Sequence, residues 1–550
     1  MDPNIFTYAN WVKTRERYLD WISQFLTESK YDTSFQWRGF NLWYITKPAG
    51  KDVEMEKEWF TLLHKRLNGV SVSSKNKSMS FYEFLLAYIL LFIYDIFKTV
   101  LCKYWLGKSF RDINADVYFH SLSNNINTYQ GQALDRHFAK GPLEDIVFGK
   151  KAAYVVLAQP GKNNIKQFFT YRRKFRENMN LLGRPWVLLN KYASLMDIWD
   201  VYSTLFRVWV NFRKISKDES FRNKFQIDDV QCADIILREI EKSFLGEIQW
   251  ALLYGLCFSK WIASNSIKKP IVTYGETLSP IRAVYHFSKQ VDPSVLFYSI
   301  QHSINNKNKL GFYHRQAEFL KDQQPNFSVL PDYYLVQGDQ FRQIAKEFYP
   351  EGRIKIVGCL KYDDMVISRQ DFLEKGKYVS KKMGKTNGKV ILLAPSVNDI
   401  SSLISLFSNP IFAPLRILLC PHPATNKQLV RELVQKVGNG VKIEVVEGFR
   451  TVELFPIANL VVCGYSASCY EALIFGVPAI QFAETNHMPL VEPIPEIPFF
   501  SEREEFWKWF TQTKIGDVTS IELDAVIKKY FYRIDGRSSN RLWQSIIETA

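Results

Sequence analysis

The chain predicts an α/β fold: two Rossmann-like domains facing a cleft, preceded by a helical region and followed by a helix that packs back across both. Three observations carry this expectation. From about residue 111, short apolar runs (DVYFHSL, AAYVVLAQP, RPWVLLNKY, KPIVTYGE, SVLFYSIQHS) alternate with longer amphipathic ones, as βαβ units in a parallel sheet do. A second and cleaner series opens near 331, with DYYLVQG, RIKIVG, KVILLAP, RILLCPHP, KIEVVEG and NLVVCGYS. Within it, NLVVCGYSASCYEALIFGVPAI runs a buried strand into a turn of small residues and then a helix, the unit from which doubly wound sheets are built.

The elements follow in order. Residues 1–110 are predicted as a helical N-terminal region, interrupted by FQWRGFNLWYI (35–45), a strand or an aromatic plug. Two short linkers, 69–80 and 107–116, flank the hydrophobic stretch 81–108. Its uncharged run covers only Phe84 to Tyr94, well short of the roughly 20 residues a spanning helix needs. A long core helix is the first reading of it. Docking in a membrane interface is the second, given its aromatics and Lys98, Lys103 and Lys108 at one end. A true span stays the third. The first Rossmann-like domain is expected over 111–325 and the second over 326–520, with the crossing helix at 521–550.

Composition limits the function classes. With 47% hydrophobic, 15% aromatic and 23% charged residues the chain packs as a globular protein. A formal net charge of +15 suggests an anionic partner, a nucleotide or a phospholipid surface. No basic block stands out, so nucleic acid is not the expected partner. Seven scattered cysteines without a Cys-x-x-Cys pair indicate neither zinc nor a disulfide framework, and point to a reducing cytoplasm. The opening MDPNIFTYANWVKTRERYLDW lacks a basic n-region before an apolar h-region, so no secretory signal is expected.

The candidate site residues sit at strand ends. Ser466, Ala467 and Ser468 occupy a turn at a helix N-terminus, where free N–H groups, the helix dipole and two hydroxyls can hold an anion; ordinary N-capping competes. Glu471, three residues after Ser468, is either a capping-box partner or a ribose contact. His422, between Pro421 and Pro423, leaves the strand RILLC with a restricted backbone, so its imidazole is presented in a set direction toward a phosphate or nucleotide carbonyl, or else caps a loop. Ser396 ends another strand and offers a phosphate or base contact. In the first half, Glu276 follows a strand and precedes a helix carrying Arg282; it is a candidate general base, with helix capping as the alternative. Gln301 and His302 end the next strand on the cleft side, His302 as a catalytic or a structural histidine. The adjacent acids Asp363 and Asp364 lack the setting of a metal-holding strand end, and no obligatory metal is expected.

The strand-end His422-Pro423 pair, the Ser466-x-Ser468 turn followed by Glu471-Ala472-Leu473-x-x-Gly476-x-Pro478, and the two Rossmann-like halves resemble GT-B glycosyltransferases. More narrowly, the chain resembles bacterial surface-carbohydrate transferases that use CMP-activated acidic sugars, the Kdo transferases and bacterial sialyltransferases. The resemblance covers roughly 110–550 and is strongest in 331–485. It implies that His422 and Pro423 hold the CMP moiety with Ser466 and Ser468, and that Glu276 acts near the acceptor. The two-acids-then-glycine motif of the sialyltransferases is absent; Tyr274-Gly275-Glu276-Thr277 stands there.

The function expected is therefore metal-independent transfer of a sugar, CMP-linked Kdo or a nonulosonate, onto a surface glycan or glycolipid at the cytoplasmic face of the inner membrane. Arg282 and Gln301 are expected to meet the acceptor or stabilise charge, and no cofactor beyond the nucleotide-sugar co-substrate is expected. Competing readings keep the fold and change the chemistry (a UDP-sugar transferase, a CDP-glycerol-type phosphotransferase, a nucleotide-sugar epimerase) or abandon catalysis for a membrane-bound scaffold in glycan assembly.

Overall fold

Continuous apolar runs such as AAYVVL and VILLA are buried along their whole length, as strands of a sheet covered on both faces must be. The computed structural model describes residues 6–29, 33–56, 58–72, 79–106, 113–129, 132–135, 137–138, 151–159, 165–275, 278–301, 307–319, 329–367, 374, 376, 378, 389–396, 399–422, 425–437, 440–484, 497–513 and 523–549. Two parallel sheets dominate it. The first has seven strands, in spatial order Ile354–Ile356, Tyr333–Val336, Phe297–Ile300, Ile271–Tyr274, Val117–Leu122, Ala152–Leu157 and Trp186–Leu188. The second has six: Ile443–Val445, Arg416–Leu419, Val390–Ala394, Leu460–Cys463, Ala479–Phe482 and Phe499–Phe500.

In each sheet the first strand in the chain lies in the interior and the order reverses beside it, the doubly wound arrangement. The reversal falls between Val117–Leu122 and Ile271–Tyr274 in the first sheet, and between Val390–Ala394 and Leu460–Cys463 in the second. Helices Glu247–Asn265 and Ser279–Val291 cover one face of the first sheet. Helices Ile400–Leu406, Lys427–Gln435 and Arg503–Gln512 cover one face of the second, and Ser468–Ile474 lies on the other. The chain therefore has the two Rossmann-like domains predicted.

The boundary between them differs from the expected 325/326. Tyr333–Val336 pairs with Phe297–Ile300, and Ile354–Ile356 pairs with Tyr333–Val336, so both belong to the first sheet. Hydrophobic alternation reports a strand but not the sheet it joins. The first sheet runs to 356, and the second begins at Val390.

Two helices, Leu523–Phe531 and Ser538–Ile547, occupy the expected crossing segment. Tyr530 lies between Phe341 of the first domain and Tyr470 of the second, with ring centroids 6.3 and 5.6 Å away. Gly338 is needed here because the backbone of Lys529 and Tyr530 lies 2.6–2.7 Å from where a Cβ would stand. Ser539 donates its backbone N–H to Asp363 Oδ2 at 3.0 Å, so Asp363 anchors the second helix. Leu542, Trp543 and Ile546 complete the core under the first sheet.

The N-terminal region wraps the first domain. Residues 35–45 form a two-residue hairpin, Gln36–Trp37 with Phe40–Asn41, and a 3-10 turn, Leu42–Ile45, which together form an aromatic plug; Phe35 stacks on Trp43 at 3.8 Å. A fully buried ion pair ties the region down, Lys51 Nζ to Glu318 at 2.7 Å, with His314 Nδ1 3.3 Å from the same carboxylate. The hydrophobic stretch is one helix, Phe81–Trp105, opened by a Ser80/Glu83 capping box. It is not a core helix. Phe84, Tyr88, Asp95 and Cys102 face inward, whereas Leu86, Leu90 and Ile93 on the opposite face are more than half exposed.

Candidate functional site

The second sheet's reversal point collects most of the predicted donor-side residues. Adjacent strands Val390–Ala394 and Leu460–Cys463 leave the sheet side by side, and the helices after them depart toward opposite faces, opening a crevice at their carboxyl ends. Two loops border that crevice, Pro395–Ser396 with Asp399, and Gly464–Ser468. Asp399 joins them: its Oδ2 accepts from Ser396 Oγ at 2.8 Å and from the Tyr465 backbone N–H at 2.7 Å. Burial pushes the Asp399 carboxyl above its ordinary value, and those donors oppose the shift. The fit requires Gly464, because a Cβ there would stand 1.9 Å from Asp399 Oδ2.

Within the serine turn, Ser466 Oγ donates to Ser468 Oγ at 3.0 Å and accepts from the Ser468 N–H at 3.3 Å. The following helix, Ser468–Ile474, is capped at Ala467 without a side-chain capping bond. Of the two readings of Glu471, the capping box is therefore not made. The Glu471 carboxylate instead pairs with Lys361 of the first domain's helix Leu360–Ile367, and this ion pair links the two domains beside the turn. His422 is exposed just beyond the strand Arg416–Leu419, which neighbours Val390–Ala394, and its carbonyl accepts from Thr425 N–H at 2.8 Å. Pro423, Glu276 and His302 lie outside the described residues; Glu276 directly follows Gly275 at the end of Ile271–Tyr274, and His302 follows Gln301.

One first-domain expectation is corrected. Arg282 does not face the cleft: it is completely buried and donates from Nη1 to the carbonyls of Tyr44 and Ala49 at 2.9 and 3.1 Å. Its helix carries it on the inward face, where it secures the N-terminal plug. Burial lowers it to about 10, with Glu318 opposing that shift. Gln301 stands at the carboxyl end of its strand, but its side-chain Oε1 accepts from the Gln337 N–H at 2.9 Å, and its carbonyl accepts from Gln337 Nε2 at 3.1 Å. The Gln301 side-chain oxygen therefore bridges neighbouring strand ends.

The structure adds a residue from an unexpected quarter. Segment 54–56 lies along the loop after the strand Phe297–Ile300, with Met55 N–H donating to the Asn308 carbonyl and Glu56 N–H to Asn308 Oδ1. From there Glu56 reaches across the cleft, and Tyr465 donates its hydroxyl to Glu56 Oε2 at 3.5 Å. Burial, and then Glu56 and Glu54, push the Tyr465 phenol well above its ordinary value, so it remains a donor. In sequence, KDVEMEKE resembles any solvated turn, and nothing in it signals this contact. Asp399 left a fainter trace, a carboxylate three residues beyond the strand-end Ser396.

No protein-family model and no curated protein sequence matches the chain. Among solved structures it is similar to UDP-GlcNAc 2-epimerase from Neisseria meningitidis, at 12% identity and a TM-score of 0.44, over 79% of this chain and 99% of that one. It is also similar to the wall teichoic acid polymerase TagF, at 12% identity and 0.41, over 85% and 96%. Anabaena Alr3699/HepE, in complex with UDP and glucose, matches at 10% identity and 0.40, over 80% and 100%.

Proposed function

We propose that the chain is a glycosyltransferase that takes its sugar from a nucleotide-linked donor, a CMP-activated acidic sugar, and places it on a surface glycan or glycolipid. The observation that carries this reading is the built crevice at the second sheet's reversal point. There Asp399 holds Ser396 and the Gly464–Ser468 turn together, and His422 emerges from the adjacent strand. Hydroxyls, backbone N–H groups and an imidazole at strand ends suit a nucleotide's phosphate and ribose.

In the proposed reaction the acceptor oxygen attacks the anomeric carbon. The bond from that carbon to the phosphate oxygen breaks, and the nucleotide leaves with the electron pair. The Ser466–Ser468 turn and His422 stabilise the charge developing on the phosphate, as preorganised donors do without reorganisation cost. Glu276, two residues after the strand Ile271–Tyr274 in sequence, takes the acceptor's proton. The Glu56–Tyr465 and Lys361–Glu471 contacts bring the domains together over the cleft, which excludes water from the donor.

The test is a thermal-shift panel of CMP, CDP, UDP, GDP and TDP, with and without EDTA. A ligand that binds only the folded state raises the melting temperature by mass action. The expected result is a CMP shift that survives EDTA and disappears in His422→Ala. A shift with UDP or CDP alone replaces the donor and keeps the crevice. No shift with any nucleotide overturns the enzyme reading in favour of a scaffold.

A further inference from the structure

We infer that the exposed face of helix Phe81–Trp105 is a docking surface for an anionic phospholipid bilayer, on which the helix lies in the plane of the membrane. Leu86, Ile89, Leu90, Ile93, Phe97 and Val100 recur at helical spacing on that face, and all are exposed. Tyr82 and Tyr104, 81% and 71% exposed, close the two ends of the stripe. Trp199, 59% exposed, extends it sideways from the neighbouring helix Leu195–Ile215, where its ring lies 6.1 Å from Phe92. An aliphatic centre with tyrosine and tryptophan margins is the composition that partitions into the headgroup boundary.

By length and composition this helix is also a candidate membrane span. Its packing excludes that. Phe84 stacks on Trp209 at 3.7 Å, Tyr88 donates to the Tyr202 carbonyl at 2.7 Å, Tyr202 donates to Asp95 Oδ2 at 2.6 Å, and Cys102 lies in the core under the first sheet. One face is thus fastened to the body from the first turn to the last, so only the other face can meet lipid.

Charge selects anionic lipid. Of the helix's acids, Asp95 is turned inward onto Tyr202 and Glu83 is held in the Ser80 cap. Lys103, and Arg207 and Lys214 of the neighbouring helix, are exposed, on a chain of net charge +15. A cavity of about 410 Å³ opens beside the stripe, between Leu91, Asp95 and Lys98 of the helix and Asn124, Gln159 and Trp250 at the carboxyl edge of the first sheet. A bilayer on the stripe therefore borders a polar recess on the edge where such sheets bind ligands, where a membrane-borne acceptor can enter. That last step rests on the transferase reading; the docking surface does not.

The experiment is flotation of the full chain with vesicles of phosphatidylglycerol and phosphatidylethanolamine, against pure phosphatidylcholine. The wild type is expected to float with the anionic vesicles at least tenfold more than with the neutral ones. A Leu86→Asn/Leu90→Asn/Ile93→Asn variant, which changes only exposed positions and whose melting temperature reports its folding, is expected to stay at the bottom. Single cysteines at Leu86 and Val100 carrying a lipid-quenched fluorophore separate the two geometries, because all seven native cysteines are buried. An in-plane helix places both labels at one depth, whereas a span separates them by about 20 Å at 1.5 Å per residue. Unequal depths, equal flotation of the triple variant, or failure to float together with a concentration-dependent dimer in sedimentation equilibrium would overturn the inference. Flotation reads no nucleotide, so its failure and that of the donor site are separable.

Discussion

Replacing Gly464 by alanine tests whether the second sheet's reversal point is held as described. The new Cβ would stand 1.9 Å from Asp399 Oδ2, 2.2 Å from its Cγ and 2.9 Å from its Cβ. Turning the carboxylate about its own side chain leaves the last contact in place, so the Asp399 loop must move. It then loses the bonds from Ser396 Oγ and the Tyr465 N–H. Hydrogen bonds to a charged group contribute about 1.5–3 kcal/mol each, so the loss is about 3 kcal/mol or more. For a domain of this size that lowers the melting temperature by about 10 °C. Thermal denaturation reads it, with Gly352→Ala as a control, since a Cβ there meets nothing within 4 Å. Because the clash is with the Asp399 side chain, its Cβ included, Gly464→Ala costs little once Asp399→Gly is present. Strict additivity of the two substitutions would refute the reasoning, as would a Gly464→Ala protein as stable as wild type.

Arg282→Lys keeps the charge but not the reach to both the Tyr44 and Ala49 carbonyls, and it is expected to cost about 3 kcal/mol in urea denaturation while leaving nucleotide affinity of the folded fraction unchanged. Glu56→Gln keeps an acceptor for Tyr465 but removes the charge; the melting temperature is expected to move by less than about 2 °C while donor turnover in a transfer assay falls, and unchanged turnover would count against cross-cleft closure. Burial raises the Glu318 carboxyl, but Lys51 and His314 beside it more than reverse this, to about 2 against an ordinary 4.5. A carboxyl lowered on folding contributes stability that is complete above the unfolded value and is lost as pH falls through the folded one. Wild-type stability is therefore expected to decline between about pH 4.5 and 2, and the Lys51→Met/Glu318→Leu double variant to decline less over the same interval, by urea titration at each pH.

Much of this architecture is legible in the residues. Runs such as VILLA and LVVC announce buried parallel strands, and Gly464-Tyr465-Ser466 announces the turn that follows, because both signals are local. What is not legible is pairing between distant segments. RIKIVG joins the first sheet because Ile354–Ile356 meets Tyr333–Val336, a register no local pattern specifies. Arg282 looks like a cleft cation until the fold shows that its helix turns it toward the plug, and Glu56 reaches Tyr465 only because the N-terminal region wraps back to the strand ends. Glu471 is the same lesson in small: three residues from Ser468 suggests a cap, but Lys361, 110 residues away in the chain, takes the carboxylate.

The return of helices Leu523–Phe531 and Ser538–Ile547 to the first domain bears on how the chain acquires its structure during synthesis. The second sheet is threaded between the first sheet and the pieces that finish its core, so the ribosome delivers a whole domain before Leu542, Trp543 and Ile546 reach their places. Until then the apolar surface around Val357 and Leu360 has no cover. Domains generally fold as units in the order they emerge; here the earlier one must wait for the later, and that interval is when the nascent chain is most exposed to aggregation.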